Sequence, residues 1–402
     1  MKGASLGRAI RDGWLVLGVT LALLVGAELV LRVGSAVSRA WRGPQPRVEA
    51  QSPLASADWY QPYMAEFNRS RQMQWEPYLY FRRPAFRGAY ITVDSAGHRV
   101  TPQAAPAGSP RARMFLFGGS TMWGSYQRDD RTIPAEVARR LAATNAPAVE
   151  VTNYGESGYV FTQEMLALIL QLRAGNIPDV VVFYDGINDV AATVQDGVAG
   201  IPQNESNRAA EFAMGRALQP STSGLRADLH AWGTLAAASL GTLELTRWIH
   251  RLARPASPPF ISADSAARSL VRVYTGNVRV IDALAENYGF KVIYVWQPSL
   301  HATTKRPTPF ESRLLEGVER NPFQRRLRDI HQAVPPILDS AMATVAPGRF
   351  IDASALFRGD TLPVFVDQIG HTTESAIPAI VDTLWPALVR DLPQADRPRA
   401  LP

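Results

Sequence analysis

The 402-residue chain contains no cysteine, which excludes disulfides, thiol nucleophiles and thiolate metal sites. It also lacks long lysine- or arginine-rich runs and zinc-finger spacings, so the net charge of +6 is not interpreted as nucleic-acid binding. A His-Glu-x-x-His motif, a P-loop and a dinucleotide glycine fingerprint are all missing, so the sequence implies no metal and no other cofactor. The mild basic excess suits an anionic membrane surface or an acidic polymer instead.

A long apolar run begins at Trp14 and extends to Val37, interrupted only by Glu28 and Arg32. These two residues are four apart on a helix and can pair, which lowers the cost of placing them in a membrane. Because about 20 mainly apolar residues span a bilayer, we predict a transmembrane anchor over residues 13–35.

Positive charge on the amino-terminal side of this run predicts that residues 1–12 are cytoplasmic. The main domain would then lie on the periplasmic side of a bacterial inner membrane, held by a single span. Two alternatives stay open. Small residues at 34–36 are compatible with a cleaved signal peptide, and the run can also form a buried helix of a soluble protein.

The chain as a whole has 46% hydrophobic and 19% charged residues, which is typical of folded proteins. Residues 36–111 are predicted to form a linker and an aromatic-rich segment that packs on the main domain. Aromatic side chains in such a segment are more often packed in a core than used for binding carbohydrate. The main domain is predicted over 112–392, with an insertion at about 200–266 and a tail at 393–402.

Short apolar runs alternate with helical patterns through the main domain, which predicts a parallel sheet with helices on both faces. The fold class is therefore α/β, a three-layer α/β/α sandwich of the flavodoxin-like kind. Strands are expected at 114–117, 149–152, 179–184, 291–296 and 349–352. Helices are expected from 132, at 162–174, 269–288, 322–344 with a break at Pro335–Pro336, and 373–389.

Three of the predicted strands end in short polar turns that contain glycine, at 118–121, 153–158 and 185–189. Reactive groups in open parallel sheets gather beyond the carboxyl ends of the strands. The first turn offers a serine hydroxyl, the second offers backbone N–H groups and the third offers a carboxamide. Together these groups can supply a nucleophile and an oxyanion hole.

A serine nucleophile needs a base, and one of the six histidines is suitably placed in the sequence. His371 follows the last predicted strand in a glycine-containing loop and is preceded by Asp367, which can orient its ring. By itself Ser120 would be an ordinary turn serine, but the order of the motifs, each at a strand end, favours a triad. Asp185 and Asp189 are interpreted as caps of their loop and helix rather than as a paired-carboxylate site.

These motifs resemble the SGNH (GDSL-type) hydrolase superfamily over roughly residues 112–390. The resemblance implies that Ser120 is the nucleophile and that His371 and Asp367 are the base and its orienting acid. It implies an oxyanion hole formed by the backbone N–H groups of Ser120 and Gly158 and the side-chain amide of Asn188. Three residues separate the acid and base here, whereas the usual spacing is Asp-x-x-His.

The likeness is greatest to a bacterial envelope subgroup with an N-terminal membrane helix, through 97–101 and the Trp-Gln-Pro at 296–298. It implies a membrane-anchored serine esterase or deacylase that acts on an acyl ester, such as an acetyl ester, of an envelope glycan or lipid. One alternative is an O-acyltransferase with the same triad. The other is a non-catalytic structural or accessory subunit of a membrane protein complex.

Overall fold

The computed structural model describes residues 3–41, 52–102, 112–144, 148–217 and 262–393. Most of the predicted insertion at 200–266 and nearly all of the predicted tail at 393–402 lie outside these residues. The chain divides into two compact units, one formed by 1–48 with 206–259 and the other by 49–205 with 260–402. The second unit contains the sheet and every candidate site residue.

Within the described residues, the strands in chain order are β1 (Gln74–Glu76), β2 (Tyr80–Arg82), β3 (Phe86–Arg87), β4 (Thr92–Val93), β5 (Ala112–Gly118), β6 (Val149–Asn153), β7 (Val180–Asp185), β8 (Lys291–Trp296) and β9 (Phe350–Asp352). The α-helices are α1 (Gly3–Trp41), α2 (Tyr60–Ser70), α3 (Ser120–Trp123), α4 (Ile133–Ala142), α5 (Phe161–Arg173), α6 (Ile187–Asp196), α7 (Glu205–Ala217), α8 (Ala263–Tyr288), α9 (Pro309–Arg320), α10 (Pro322–Val345) and α11 (Ile377–Asp391).

Five parallel strands form the main sheet in the order β6-β5-β7-β8-β9. Successive side chains of a strand point to opposite faces, so each strand contributes to two cores. Phe117 and Phe183 are register partners and belong to one core, whereas Leu116 and Val182 are register partners in the other. Helices α5, α8 and α10 cover the first face, and α4, α9 and α11 cover the second. The predicted three-layer α/β/α fold is confirmed.

Helix α10 runs without interruption from Pro322 to Val345, so the predicted break at Pro335 and Pro336 was wrong. Each proline removes one backbone donor, at a cost of about 3 kcal/mol in a helix interior. Val334 and Leu338 on either side of the prolines are fully buried in the core. The burial of this apolar face outweighs the local cost and keeps the helix continuous.

The aromatic segment is regularly folded. It contains helix α2 and two antiparallel hairpins, β1–β2 and β3–β4. Tyr63 and Phe67 of α2 pack with Ile91, Val93 and Trp123 in a small core of their own. The segment is thereby joined to the helix that begins at Ser120.

Helix α1, in the other unit, contains a stretch from Arg11 to Ser35 that is long and apolar enough to cross a membrane, with a mean hydropathy of 2.3 in its 18-residue window. Arg32 Nε donates to Glu28 Oε1 at 2.6 Å, as their spacing predicts. The side chains along the stretch are mostly exposed; Val30, for example, is 71% exposed. A single helix of this kind is compatible with a membrane anchor or a signal sequence.

A buried ion pair ties α9 to the segment that precedes the last helix. Lys305 Nζ donates to Glu311 Oε2 at 2.7 Å, and both side chains are almost completely buried. The other oxygen, Oε1, accepts the backbone N–H groups of Val364 and Phe365 at 3.0 and 3.2 Å. Glu311 therefore satisfies backbone donors close to the loop that contains Asp367 and His371.

We expect Glu311→Ala to lower the free energy of unfolding by about 3 to 5 kcal/mol, because it leaves the Lys305 ammonium buried and unpaired. The measurement is urea unfolding of the full chain in detergent micelles. Glu316→Ala on the same helix removes an exposed pair with Arg320 and should have a much smaller effect. Equal losses in the two variants would contradict the anchoring role of Glu311.

Candidate active site

Ser120 begins helix α3, directly after strand β5 and the extended residue Gly119. The strand ends here because the chain turns sharply into a four-residue helix at the carboxyl edge of the sheet. A β-carbon on Gly119 would stand only 2.0 Å from Nδ2 of Asn188, so no larger residue fits. This close approach brings the side-chain amide of Asn188 against the turn that carries the Ser120 hydroxyl.

Ser120, His371 and Asp367 form a continuous hydrogen-bonded array. His371 Nε2 lies 2.7 Å from Ser120 Oγ, and His371 Nδ1 lies 2.5 Å from Asp367 Oδ2. Ser120 and His371 are 8% and 7% exposed, so the contact between them is largely shielded from solvent. In the sequence, Ser120 lies 251 positions before His371, whereas Asp367 lies four positions before it. Ser120 meets the other two residues because the loops that carry them lie at the same edge of the sheet.

The extra residue between Asp367 and His371 is taken up by a tight turn around the carboxylate. Asp367 Oδ1 accepts the backbone N–H groups of Ile369, Gly370 and His371 at 3.0, 3.0 and 3.2 Å. Gly370 has φ +100°, a conformation that favours glycine. The N–H of Val366 donates to the carbonyl of His371 at 2.9 Å and closes the loop. The longer spacing therefore does not separate the acid from the base.

Asp367 keeps its negative charge in this turn. Burial by itself would raise its pKa, but the facing imidazole of His371 and the hydrogen bonds to Oδ1 and Oδ2 hold the pKa below the ordinary aspartate value. An ionised Asp367 accepts the Nδ1–H of His371, which leaves Nε2 as the nitrogen facing Ser120.

Asn188 is held by two contacts at the start of α6. Its Nδ2 donates one hydrogen to the carbonyl of Tyr159 at 2.8 Å, and its Oδ1 accepts from Gln203 Nε2 at 3.4 Å. The amide orientation is thus fixed, and among the described residues the carbonyl of Tyr159 is the one acceptor bonded to Nδ2, which leaves its second hydrogen available. Gln203 lies at the beginning of the predicted insertion and was not foreseen as part of the site.

Gly158 lies in the turn after β6, with φ +84°. This turn is joined to the nucleophile turn because the N–H of Glu156 donates to the carbonyl of Gly118 at 3.0 Å. A β-carbon on Gly158 would lie 3.9 Å from Gln203 Nε2, the group that contacts Asn188. The structure therefore brings all five residues of the predicted site to the carboxyl edge of the sheet.

No family model and no curated protein matches the chain. It is similar to the solved structure of a member of the lipolytic protein G-D-S-L family from Veillonella parvula, with 13% identity and a TM-score of 0.36 over 69% of this chain and 98% of that chain. It is also similar to a lipase/acylhydrolase from Enterococcus faecalis, with 13% identity and a TM-score of 0.35 over 71% of this chain and 100% of that chain. An acetyl xylan esterase matches with 11% identity and a TM-score of 0.36 over 69% of this chain and 99% of that chain.

These structural neighbours are GDSL-type and other ester hydrolases. Identities and TM-scores this low carry no inference about the chemistry of this chain, which is inferred from its own sheet topology and site geometry.

Sequence reasoning missed two buried arginines that hold the nucleophile turn. Arg83 donates to Glu156 Oε1 at 3.2 Å and to Ser157 Oγ at 2.7 Å, and its guanidinium carbon lies 3.8 Å from the ring centre of Trp123. It also reaches Ser70 at the end of α2. A single side chain thus joins the aromatic segment to the turn that contains Gly158.

Arg99, which follows β4 in the chain, contacts the same indole. Its guanidinium carbon lies 4.3 Å from the ring centre of Trp123, and its nitrogens donate to the carbonyls of Gly124 and Gln127, both at 2.6 Å. Its Nε donates to Asp129 at 2.9 Å. The Gly97–Thr101 motif was the sequence signal for this contact, although its role was not apparent.

The loop of His371 is held from outside by Arg128 and Glu374. Arg128 donates through its backbone N–H, Nε and Nη2 to the Glu374 carboxylate at 2.7 to 2.9 Å. The ring of Tyr126 lies edge-on to the imidazole of His371, with 5.4 Å between centres. Tyr126 has φ +66°, an uncommon conformation for a non-glycine residue beside a site.

Behind Asn188 lies a buried acidic cluster formed by Glu164, Asp185 and Asp189, with the hydroxyl of Tyr274 donating to Asp185 Oδ2 at 3.4 Å. Asp189 Oδ1 accepts the N–H of Phe161 at 3.1 Å, at the start of α5. Burial is the main cause that raises the pKa of Glu164 well above its ordinary value, and repulsion from Asp185 is the second. Burial raises the pKa of Asp189 to about 7. Neither this cluster nor any other group of three or more histidine, aspartate or glutamate side chains among the described residues has a geometry that could hold a metal ion.

The folded protein therefore binds more protons in this cluster than the unfolded chain does, and its stability should fall as pH rises through the raised pKa values. Glu164→Gln replaces the buried carboxyl group by an amide that does not titrate. We expect the variant to be more stable than the parent by roughly 1 to 3 kcal/mol at about pH 9, with a smaller difference near pH 5. Urea unfolding at both pH values measures this, with exposed Glu286→Gln as the matched control. A pH-independent difference would contradict the prediction.

Proposed function

We propose that this protein is a membrane-anchored serine ester hydrolase that acts on an acyl ester of an envelope glycan or lipid. The observation that carries the proposal is the hydrogen-bonded array from Ser120 through His371 to Asp367. A serine hydroxyl in contact with an imidazole that is oriented by an ionised carboxylate is an activated nucleophile.

In the first half-reaction, Ser120 Oγ attacks the acyl carbonyl carbon and His371 Nε2 takes the hydroxyl proton. The negative charge that develops on the carbonyl oxygen is stabilised by the N–H groups of Ser120 and Gly158 and by the free hydrogen of Asn188 Nδ2. His371 then gives its proton to the leaving alcohol. Asp367 stabilises the imidazolium during this step without taking up the proton.

In the second half-reaction, a water molecule gives a proton to His371 and attacks the acyl-serine carbonyl. The same oxyanion donors act again, and His371 returns the proton to Ser120 Oγ as the carboxylic acid leaves. The acyl group is proposed to be acetyl or another short chain. The apolar stretch of α1 supports an inner-membrane anchor, with the catalytic unit on the periplasmic side.

The first test is labelling of the full chain with a fluorophosphonate probe, which modifies activated serines. We expect strong labelling of the parent protein and none of Ser120→Ala, because Ser120 is the hydroxyl held by His371. Ser299→Ala, which changes another buried serine, is the matched control and should label like the parent. A parent protein that does not label would favour a non-catalytic accessory subunit of a membrane complex.

Asn188→Ala should lower kcat for p-nitrophenyl acetate by roughly 100- to 1,000-fold with little change in KM, because the amide acts on charge that exists only in the transition state. Steady-state kinetics in detergent measures both constants. Gln195→Ala on the exposed side of the same helix should leave both near their parent values. An effect on KM alone would assign Asn188 to ground-state binding.

A further inference from the structure

The β1–β2 hairpin presents two exposed aromatic side chains, although most aromatics of its segment are packed in a core. Trp75 is 66% exposed and Tyr78 is 67% exposed. Between Tyr78 and β2, Leu79 is fully buried, and its carbonyl accepts from Gln163 Nε2 at 2.8 Å. The tip of the hairpin is therefore anchored to the main domain while the aromatic rings beside it face solvent.

The hairpin reaches the oxyanion side of the site. Trp75 and Phe81 are register partners across the two strands, so their side chains are on the same face of the hairpin. A β-carbon on Gly158 would lie 3.7 Å from Cζ of Phe81. The hydroxyl of Tyr159 donates to the carbonyl of Phe81 at 2.5 Å. A chain molecule that binds along this face would extend from Trp75 across Phe81 to Gly158.

The hairpin backbone is held in a conformation that bulky residues rarely adopt. Tyr78 and Tyr80 have φ +67° and +73°. Non-glycine residues in this region occur mostly where the surrounding structure fixes them, often at binding sites. The hydroxyl of Tyr80 lies 3.4 Å from Glu205 Oε1, and its ring centre lies 5.6 Å from that of Trp75 with a 50° tilt.

Polar groups surround the two exposed rings. Gln74 is exposed beside Trp75, and Arg82 Nε lies 3.8 Å from Glu76 Oε2 across the strands. Because Glu76 and Arg82 carry opposite charges and face each other, the hairpin has no strong charge of one sign. Flat aromatic faces pack against the apolar faces of sugar rings, while amide, carboxylate and guanidinium groups bind hydroxyls.

We infer that the β1–β2 hairpin is a subsite for a neutral glycan chain whose ester group is presented to Ser120. The inference rests on the proposed ester hydrolysis and selects a glycan rather than a lipid as the substrate. A membrane-facing surface typically combines a broad apolar face with lysine or arginine residues. The hairpin instead offers two rings among paired charges, and it is continuous with the site through Phe81.

The test compares a small ester with a polymeric one. For Trp75→Ala/Tyr78→Ala, kcat/KM for acetylated glucomannan or acetylated xylan should fall about tenfold or more through KM, since two stacking contacts are lost. The rate with p-nitrophenyl acetate should stay within about twofold, because the triad is untouched. Trp75→Phe should retain most of the polymer activity. Tyr288→Ala, which removes an exposed tyrosine at the end of α8, should leave both activities unchanged.

Binding is measured separately in the Ser120→Ala background, by native electrophoresis through gels that contain glucomannan or xylan. We expect retardation that is lost with Trp75→Ala/Tyr78→Ala. Two outcomes would overturn the glycan subsite. One is that Ser120→Ala is not retarded in either gel, and the other is that retardation persists after Trp75→Ala/Tyr78→Ala. A protein that fails to hydrolyse p-nitrophenyl acetate would contradict the proposed function, whereas the gel result still decides on the subsite.

A membrane contact is the competing outcome. The full chain is reconstituted in vesicles that contain brominated phospholipid, and its tryptophan fluorescence is compared with that of Trp75→Phe. If Trp75 inserts into the bilayer, the substitution removes a strongly quenched component, and the glycan assignment is overturned. If the fraction of quenched fluorescence rises or is unchanged on substitution, Trp75 faces water, as the glycan subsite requires.

Discussion

The indole of Trp123 lies within 4.3 Å of the guanidinium carbons of both Arg83 and Arg99, and all three side chains are almost fully buried. Trp123 ends the short helix that Ser120 begins. Four residues cannot form a stable helix by their own backbone hydrogen bonds. The position of Ser120 therefore depends on these contacts, which bring the aromatic segment, the turn before Gly158 and the turn at Ser120 together around one ring.

Two ion pairs, one buried and one partly exposed, hold the loop that contains Asp367 and His371. Glu311, paired with Lys305, accepts a backbone N–H of the segment that leads to Asp367. Arg128 donates to Glu374, three residues after His371. Buried ion pairs add little net stability compared with apolar packing, but they enforce one geometry because each unpaired partner is costly. The two loops that must meet at 2.7 Å are thus restrained by side chains that do not take part in the chemistry.

The alternation of apolar runs and amphipathic helices was sufficient to predict the parallel sheet, because a strand buried on both faces is apolar over its whole length. The same reasoning placed Ser120, Gly158, Asn188, Asp367 and His371 at one edge. It failed at Pro335 and Pro336, where burial of the helix face outweighs a local backbone cost. It also gave no role to Arg83 or Gln203, since a lone polar residue in a loop has no periodicity that reveals its partner.

Sequence alone determined the fold class, the apolar stretch of α1 and the candidate reactive groups, because these depend on local pattern and on side-chain chemistry. Only the tertiary structure decided whether the groups meet. The residues that follow Asp367 form a turn in which the N–H groups of Ile369, Gly370 and His371 donate to the Asp367 carboxylate, so the unusual spacing brings acid and base together. That outcome depends on backbone direction and on Gly370 at φ +100°, which a residue count cannot convey.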